Sequence, residues 1–111
     1  MIIGTFILDF QTIEFESDSQ IAIGLLEEYQ KAYHLEDQFA LDPPVASAGW
    51  SFSKLFLAGD FVEKLYAQYG YEVNFSKGKR FEDKFISWLG VQLKNRGCNA
   101  KIKMAPEMKK I

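Results

Sequence analysis

The sequence is poor in the residues on which most small catalytic and metal sites depend. Cys98 is the only cysteine among 111 residues, which excludes a disulfide or a cysteine-cluster zinc site within this chain. His34 is the only histidine, so any nucleophile activated by a histidine would have to use it. Glu36, Asp37 and Asp42 lie nearby in sequence, but their spacing defines no coordination geometry. We therefore predict a protein that is not an enzyme and that has no metal site and no cofactor.

Long apolar stretches are also lacking. The longest uncharged apolar runs, residues 2–8 and 55–59, are far shorter than the roughly 20 residues needed to span a bilayer. The first residues show neither the basic stretch nor the small-residue cleavage pattern of a secretory signal. With the single cysteine, this predicts a cytoplasmic protein that begins at Met1 and has no membrane partner.

Aromatic residues are the one excess. They make up 15% of the chain, with ten phenylalanines, in a composition that is otherwise typical of one globular domain. Large rings can fill a compact core, and an exposed ring can also anchor a partner protein. Both uses stay open from composition alone.

Alternating and helical patterns divide the first half of the chain. Apolar residues at 6, 8 and 10 and then at 13 and 15 predict a bent strand or a hairpin, because the apolar parity changes at Gln11-Thr12. Helix caps at 17–19 and apolar residues at three- and four-residue spacings predict a helix to about His34. Residues 35–49 contain Pro43-Pro44 and are predicted to be a loop.

The second half predicts two further helices and three strands. The apolar residues of 50–57 fit a strand and a helix equally well, and of the two a strand is favoured. Residues 60–69 are interpreted as a helix stopped by Gly70, and residues 71–75 as a short strand. A third helix is predicted for residues 81–96 and ends at Gly97. Its expected core face carries Phe81, Phe85, Trp88, Leu89 and Leu93. Residues 98–104 alternate as a final strand, and the tail after Pro106 is expected to fray.

Charge is divided unevenly along the chain. Residues 1–75 hold three lysines against twelve acidic residues, net −9, whereas residues 76–111 hold ten basic residues against three acidic ones, net +7. Such asymmetry indicates a charged partner, a protein face or nucleic-acid phosphates, unless the basic segment simply packs beside the acidic one. Trp88 or Phe75, if exposed, could stack on a base. The candidate binding residues are Lys77, Lys79, Arg80, Lys84, Lys94, Arg96, Lys101 and Lys103.

Together these patterns predict a single α+β domain. We expect a four- or five-stranded, mainly antiparallel sheet with three helices packed largely on one face. The leading functional hypothesis is a small non-catalytic adapter or inhibitor that binds another protein through charged and aromatic surface. Two alternatives remain: a nucleic-acid-binding domain that uses the basic segment 76–103, and an enzyme whose polar groups converge only in space.

Overall fold

Five strands and three helices make up the computed structural model, which describes residues 3–109. The predicted α+β class, the mainly antiparallel sheet and the three helices are confirmed. In chain order the elements are β1 (Phe6–Thr12), α1 (Phe15–Ala32), β2 (Phe39–Leu41), β3 (Val45–Ser47), β4 (Trp50–Leu57), α2 (Gly59–Asn74), α3 (Phe81–Asn95) and β5 (Lys101–Met104), followed by a 3-10 turn (Pro106–Lys109).

The strand order is β2-β4-β1-β5, and every described pairing is antiparallel. The strand β3 pairs with the same side of β4 as β2 does, so these two short strands form one interrupted edge. Pro43 and Pro44 lie at the interruption, where proline has no backbone N–H to donate to β4 and the pairing register shifts by one residue between β2 and β3. The opposite edge of the sheet is β5, which pairs only with β1 among the described strands.

The helices pack against one face of the sheet and leave the other face open. Alternate residues of β1, such as Phe6, Leu8 and Phe10, are buried on the face that packs against the helices. There the Phe85 ring of α3 meets the Phe6 ring edge-on, with centroids 5.3 Å apart. Residues of the other parity, such as Asp9, form a second face that the three helices leave open. We call it the open face of the sheet.

The third helix and the central strand β4 were predicted correctly. The helix α3 spans Phe81–Asn95, with Phe85, Trp88, Leu89 and Leu93 buried and Phe81 half-buried. Acidic residues in its first turn and Lys94 in its last turn complement the helix dipole. Just after the cap residue Arg96, Gly97 has φ +88°, a conformation that favours glycine at a helix end.

The predicted bend or hairpin near Gln11-Thr12 is wrong. The strand β1 runs through both residues, and the first helix begins at Phe15, earlier than expected. Phe15 reaches the core from the first helical turn, where its ring lies 6.1 Å from that of Phe10. Ile13 is left 66% exposed. The change of apolar parity therefore marks the switch from strand to helix.

The predicted helix stop at Gly70 and the strand after it are also wrong. The helix α2 continues to Asn74, with a local departure from helical geometry at Tyr69 (φ −114°, ψ 20°). Of the three alternating residues that suggested a strand, only Val73 is buried, whereas Tyr71 and Phe75 are exposed. On a helix, residues 71 and 75 lie one turn apart and share a face, which is why their pattern also resembles one strand face.

Three boundaries differ near the sheet edges. The predicted loop 35–49 contains β2 and β3, whose short lengths give little sequence signal. The strand β5 begins at Lys101 rather than Cys98. The tail after Pro106 forms a 3-10 turn through Lys109, and Met108 packs against the core. The frayed tail is therefore wrong as far as the described residues extend.

A buried carboxylate joins three elements. Asp18, in the first turns of α1, accepts a hydrogen bond from the Thr12 hydroxyl at the end of β1. Its other oxygen accepts the backbone N–H of Asn99 at 3.1 Å, in the connection between α3 and β5. The sequence predicts residues 17–19 as helix caps, but Asp18 is buried and holds β1, α1 and the approach to β5 together.

Candidate binding surface

Two adjoining depressions follow the outward side of α3. They share Lys77 and Ser87, and together we call them the α3 groove. One wall is formed by residues 75–78 of the α2–α3 connection, the floor by α3 between Asp83 and Lys94, and the other wall by residues 102–104 of β5. The groove therefore lies between a helix and an edge strand.

Small side chains on α3 keep the floor of the groove low. Ser87, Gly90, Val91 and Lys94 recur at helical spacing on the side of α3 away from its buried residues. At Gly90 an added Cβ would lie 3.8 Å from the Ile102 side chain, which shows how closely α3 approaches β5. The absence of a large side chain here leaves room for atoms of a partner.

The position of Lys77 on the groove wall depends on Gly78. This glycine has φ +136°, a conformation that L side chains rarely adopt. A Cβ built at Gly78 would lie 2.6 Å from the Cβ of Asp83 and 3.0 Å from the backbone nitrogen of Lys84. The loop can therefore pass this close to the start of α3 only with glycine at position 78.

An exposed aromatic pair stands at one end of the groove. The rings of Tyr71 and Phe75 lie with centroids 4.8 Å apart, yet the two residues are 78% and 77% exposed. Phe75 lines the groove together with Val91, which is itself 53% exposed. Two rings that contact each other and remain this exposed form an apolar surface of the kind enriched at protein interfaces.

Three of the eight predicted binding residues line the groove, namely Lys77, Lys94 and Lys103. Lys103 does so at the β5 edge, where its register opposite Asp9 places its side chain on the open face of the sheet. The acidic residue there, Asp83, lies 3.4 Å from the guanidinium of Arg80, which is its ion-pair partner. The surroundings of the groove therefore carry an excess of positive charge, which favours negatively charged groups on a partner.

The other five predicted residues do not line the groove, although Arg80 contacts two residues that do, Asp83 and Met104. Arg80 also places its guanidinium 3.3 Å from the sulfur of Met104. Lys79 is exposed in the loop and Lys84 is half-buried on α3. Lys101 lies on the open face of the sheet, with its ammonium 5.5 Å from the centroid of the Trp50 ring.

Arg96 pairs with the acidic half of the chain. Its two terminal nitrogens donate to the Glu28 carboxylate of α1 at 2.6 and 3.1 Å. These hydrogen bonds lower the pKa of Glu28 and raise the pKa of Arg96. At this point the basic segment does pack beside the acidic one, as one of the sequence hypotheses supposed.

A second depression lies on the open face of the sheet. It has a volume of about 410 Å³ and is lined by residues of β1, β4 and the Asp42-Pro43 turn. Lys54 at its centre donates to Asp9 and, at 3.3 Å, to Glu107, and these hydrogen bonds raise the pKa of Lys54. Its charge is therefore compensated within the chain, whereas the ion pairs found within residues 3–109 include none to Lys77, Lys94 or Lys103.

The lone histidine and the lone cysteine line neither the α3 groove nor the depression on the open face of the sheet. His34 is exposed just after α1 with φ 56°. Cys98 is buried, its thiol donates to the backbone oxygen of Asp18 at 3.5 Å, and burial raises its pKa. Within residues 3–109, no three histidine, cysteine or acidic residues gather as a metal site would require. No helix in that range is long and apolar enough to cross a membrane.

No protein-family model, curated protein or solved structure matches this chain. The candidate binding surface is therefore argued from the geometry of this chain alone.

Sequence reasoning missed most of the uncharged residues of the groove. Ser87, Gly90 and Val91 received no role, although Val91 on the polar side of an amphipathic helix is a usable signal. The exposed pair was assigned to a strand. An i,i+4 pair of rings at 71 and 75 is the pattern that could have identified it. Of the two rings considered for stacking, Trp88 is buried and Phe75 is exposed.

Proposed function

We propose that this chain is a small non-catalytic binding protein, an adapter or inhibitor, that binds another protein through the α3 groove. The observation that carries the proposal is the exposed Tyr71–Phe75 ring pair beside a groove surrounded by Lys77, Lys94 and Lys103. Aromatic anchors next to charged residues are typical of protein interfaces, where the rings supply affinity and the charges supply selectivity. The single cysteine favours the cytoplasm as the place of action.

The arrangement of charge favours a protein over a nucleic acid. A phosphate backbone is usually bound by several cations along one track. Here Lys101 lies on the open face of the sheet, and Arg96 and Arg80 are paired with carboxylates. Two lysines in the groove, Lys77 and Lys94, with Lys103 at its β5 edge, suit a few carboxylates better than a run of phosphates. Nucleic-acid binding by segment 76–103 remains the alternative that the experiment must distinguish.

The test is affinity capture from the native host with three forms of the tagged protein. The wild type is compared with the Tyr71→Ser/Phe75→Ser variant and with Ile13→Ser, which removes another exposed apolar side chain, 66% exposed, far from the groove in sequence. We expect one protein partner to be retained by the wild type and the Ile13 variant and lost from the double variant. Equal retention by all three forms, or recovery of nucleic acid that salt removes, would overturn the proposal.

A further inference from the structure

The strand β5 leaves alternate backbone groups unpaired at the edge of the sheet. The N–H of Ala105 donates to the carbonyl of Ile7 at 3.0 Å, which fixes the hydrogen-bonded register of β1 and β5. Backbone groups of an antiparallel strand alternate between its two sides. The N–H and C=O of Ile102 and Met104 therefore point away from β1, towards a side where no other described strand lies.

A segment that paired with this edge would lie against the α3 groove. Residues 102–104 already form one wall of the groove, and Ser87 and Gly90 keep its floor low. Side chains of a strand alternate between the two faces of a sheet. One set of side chains of a guest strand would therefore pack against α3, beside Ile102 and Met104. The other set of side chains would lie on the open face of the sheet.

The charges on the open face restrict which guest side chains can lie there. The neighbours of these side chains on the open face are Lys101 and Lys103, both exposed. Opposite charges on neighbouring strands stabilise pairing, and like charges oppose it. The carboxylate across from Lys103 is Asp9, which is already paired with Lys54. A guest strand is therefore favoured when acidic side chains occupy the open face and apolar ones face α3.

We propose that the partner contacts this protein through an extended acidic segment, with acidic and apolar residues alternating, that adds to β5 as a further strand. This inference rests on the protein-binding function proposed above. Edge-strand addition takes affinity from main-chain hydrogen bonds and specificity from alternate side chains. The half-buried Ile102 offers its main-chain groups directly, whereas Met104 is 7% exposed with the Arg80 guanidinium at its sulfur, so Arg80 has to shift before a guest strand can pair along the whole of β5. The exposed rings of Tyr71 and Phe75 lie at the far end of the same groove.

The first experiment selects ligands from a random twelve-residue peptide library displayed on phage, with the intact protein as bait. We expect the enriched peptides to carry acidic residues at every second position and no proline within that stretch. Neutral or basic peptides, or no enrichment, would overturn the inference. If a labelled single-stranded RNA of 20 uridines bound more tightly than the selected peptide, that result would overturn it as well.

The second experiment replaces single backbone N–H groups of the selected peptide by N-methyl groups. Strand addition predicts a period of two: methylation at residues whose N–H faces β5 weakens binding at least about tenfold, and methylation between them has little effect. A helical or irregular guest would not give that period. Loss of affinity without alternation therefore contradicts the inference.

Charge is tested with matched variants. Lys101→Gln/Lys103→Gln should weaken the selected peptide at least about tenfold, whereas Lys31→Gln/Lys64→Gln removes the same charge from the exposed sides of α1 and α2 and should not. Equal effects of the two variants would overturn the inference, as would a wild-type dimer that the first variant converts to monomer. If the peptide experiments fail while Tyr71→Ser/Phe75→Ser still loses the native partner, the binding function stands and strand addition is wrong.

Discussion

At one edge of the sheet, β2 and β3 share the outer side of β4 and are separated by Pro43 and Pro44. At the other edge, β5 runs without proline beside the α3 groove. Natural sheets protect exposed edges with prolines, short strands and charges. The first edge has the prolines, and the second has lysines, which repel a second copy of themselves and attract acidic chains. The two edges therefore differ in the strands that can pair with them: the first hinders pairing, and the second favours an acidic strand.

The largest effect is expected from the residue that anchors α3, the helix beside the β5 edge, to strand β1. Phe85 is fully buried, and its ring meets those of Phe6 and Trp88 with centroids 5.3 and 5.6 Å away. Truncation in Phe85→Ala should cost about 3–5 kcal/mol of unfolding free energy, measured by denaturant titration. Val91→Ala, on the exposed side of the same helix, is the control and should change stability by less than about 0.5 kcal/mol. Similar values for the two variants would contradict the packing described here.

Removing the Asp18 carboxylate should have the next largest effect on unfolding free energy. It acts near the β5 edge, because Asp18 binds Asn99 in the connection that leads to β5. Asp18→Ala leaves the Asn99 N–H and the Thr12 hydroxyl without their partner. Leaving buried polar groups unpaired should cost about 1–3 kcal/mol. Glu14→Gln, on the exposed residue just before α1, is the control. If amide exchange near Asn99 stayed as slow as in the wild type, Asp18 would not hold the approach to β5.

The contrast between the edges could be anticipated only in part. Proline at 43 and 44 is visible in the sequence, but residues 39–41 and 45–47 are too short to predict as strands, because their pairing partners lie in β4. The helix α3 was predicted well since its five apolar residues repeat at helical spacing. The groove was not, because it joins residues 75–78 to residues 102–104, which meet only in the folded chain.

Asp18 shows the same limit at a single residue. Its position after a strand and ahead of an apolar repeat is typical of a helix cap. Its partners are Thr12, six residues away, and Asn99, at the other end of the chain. The alternation of Tyr71, Val73 and Phe75 fits a strand. The structure shows instead that α2 continues through this segment and buries only Val73. Local pattern therefore identified the long elements, such as α1, α3 and β4, and failed at residues whose conformation depends on distant contacts.

Removing the prolines should make the first edge resemble the second. In Pro43→Ala/Pro44→Ala, two backbone N–H groups return between β2 and β3, so that one longer strand can form along β4. We expect unfolding free energy to change by no more than about 1 kcal/mol, and self-association to appear as protein concentration rises. Light scattering over a concentration series measures this. A variant that stays as dispersed as the wild type would show that the prolines do not protect the edge.

The smallest effect is expected at the Glu28–Arg96 pair, which lies on the surface away from both edges. Because Arg96 lowers the pKa of Glu28, the pair stabilises the fold above the ordinary pKa of 4.5 and loses that contribution as pH falls through the lowered value. The difference in melting temperature between wild type and Glu28→Gln should therefore be small at neutral pH and vanish in acid. Glu27→Gln is the matched control, and a difference that grew in acid would contradict the assignment.

The most direct test of the β5 edge as a docking strand is amide hydrogen exchange, followed residue by residue by NMR. In the free protein, the amides of Lys101 and Lys103 face β1 and should exchange slowly, whereas those of Ile102 and Met104 should exchange faster. Saturation with the captured partner or the selected peptide should slow Ile102 and Met104 selectively. Unchanged exchange at these two amides, with protection confined to Tyr71 and Phe75 or to the open face of the sheet, would contradict the account.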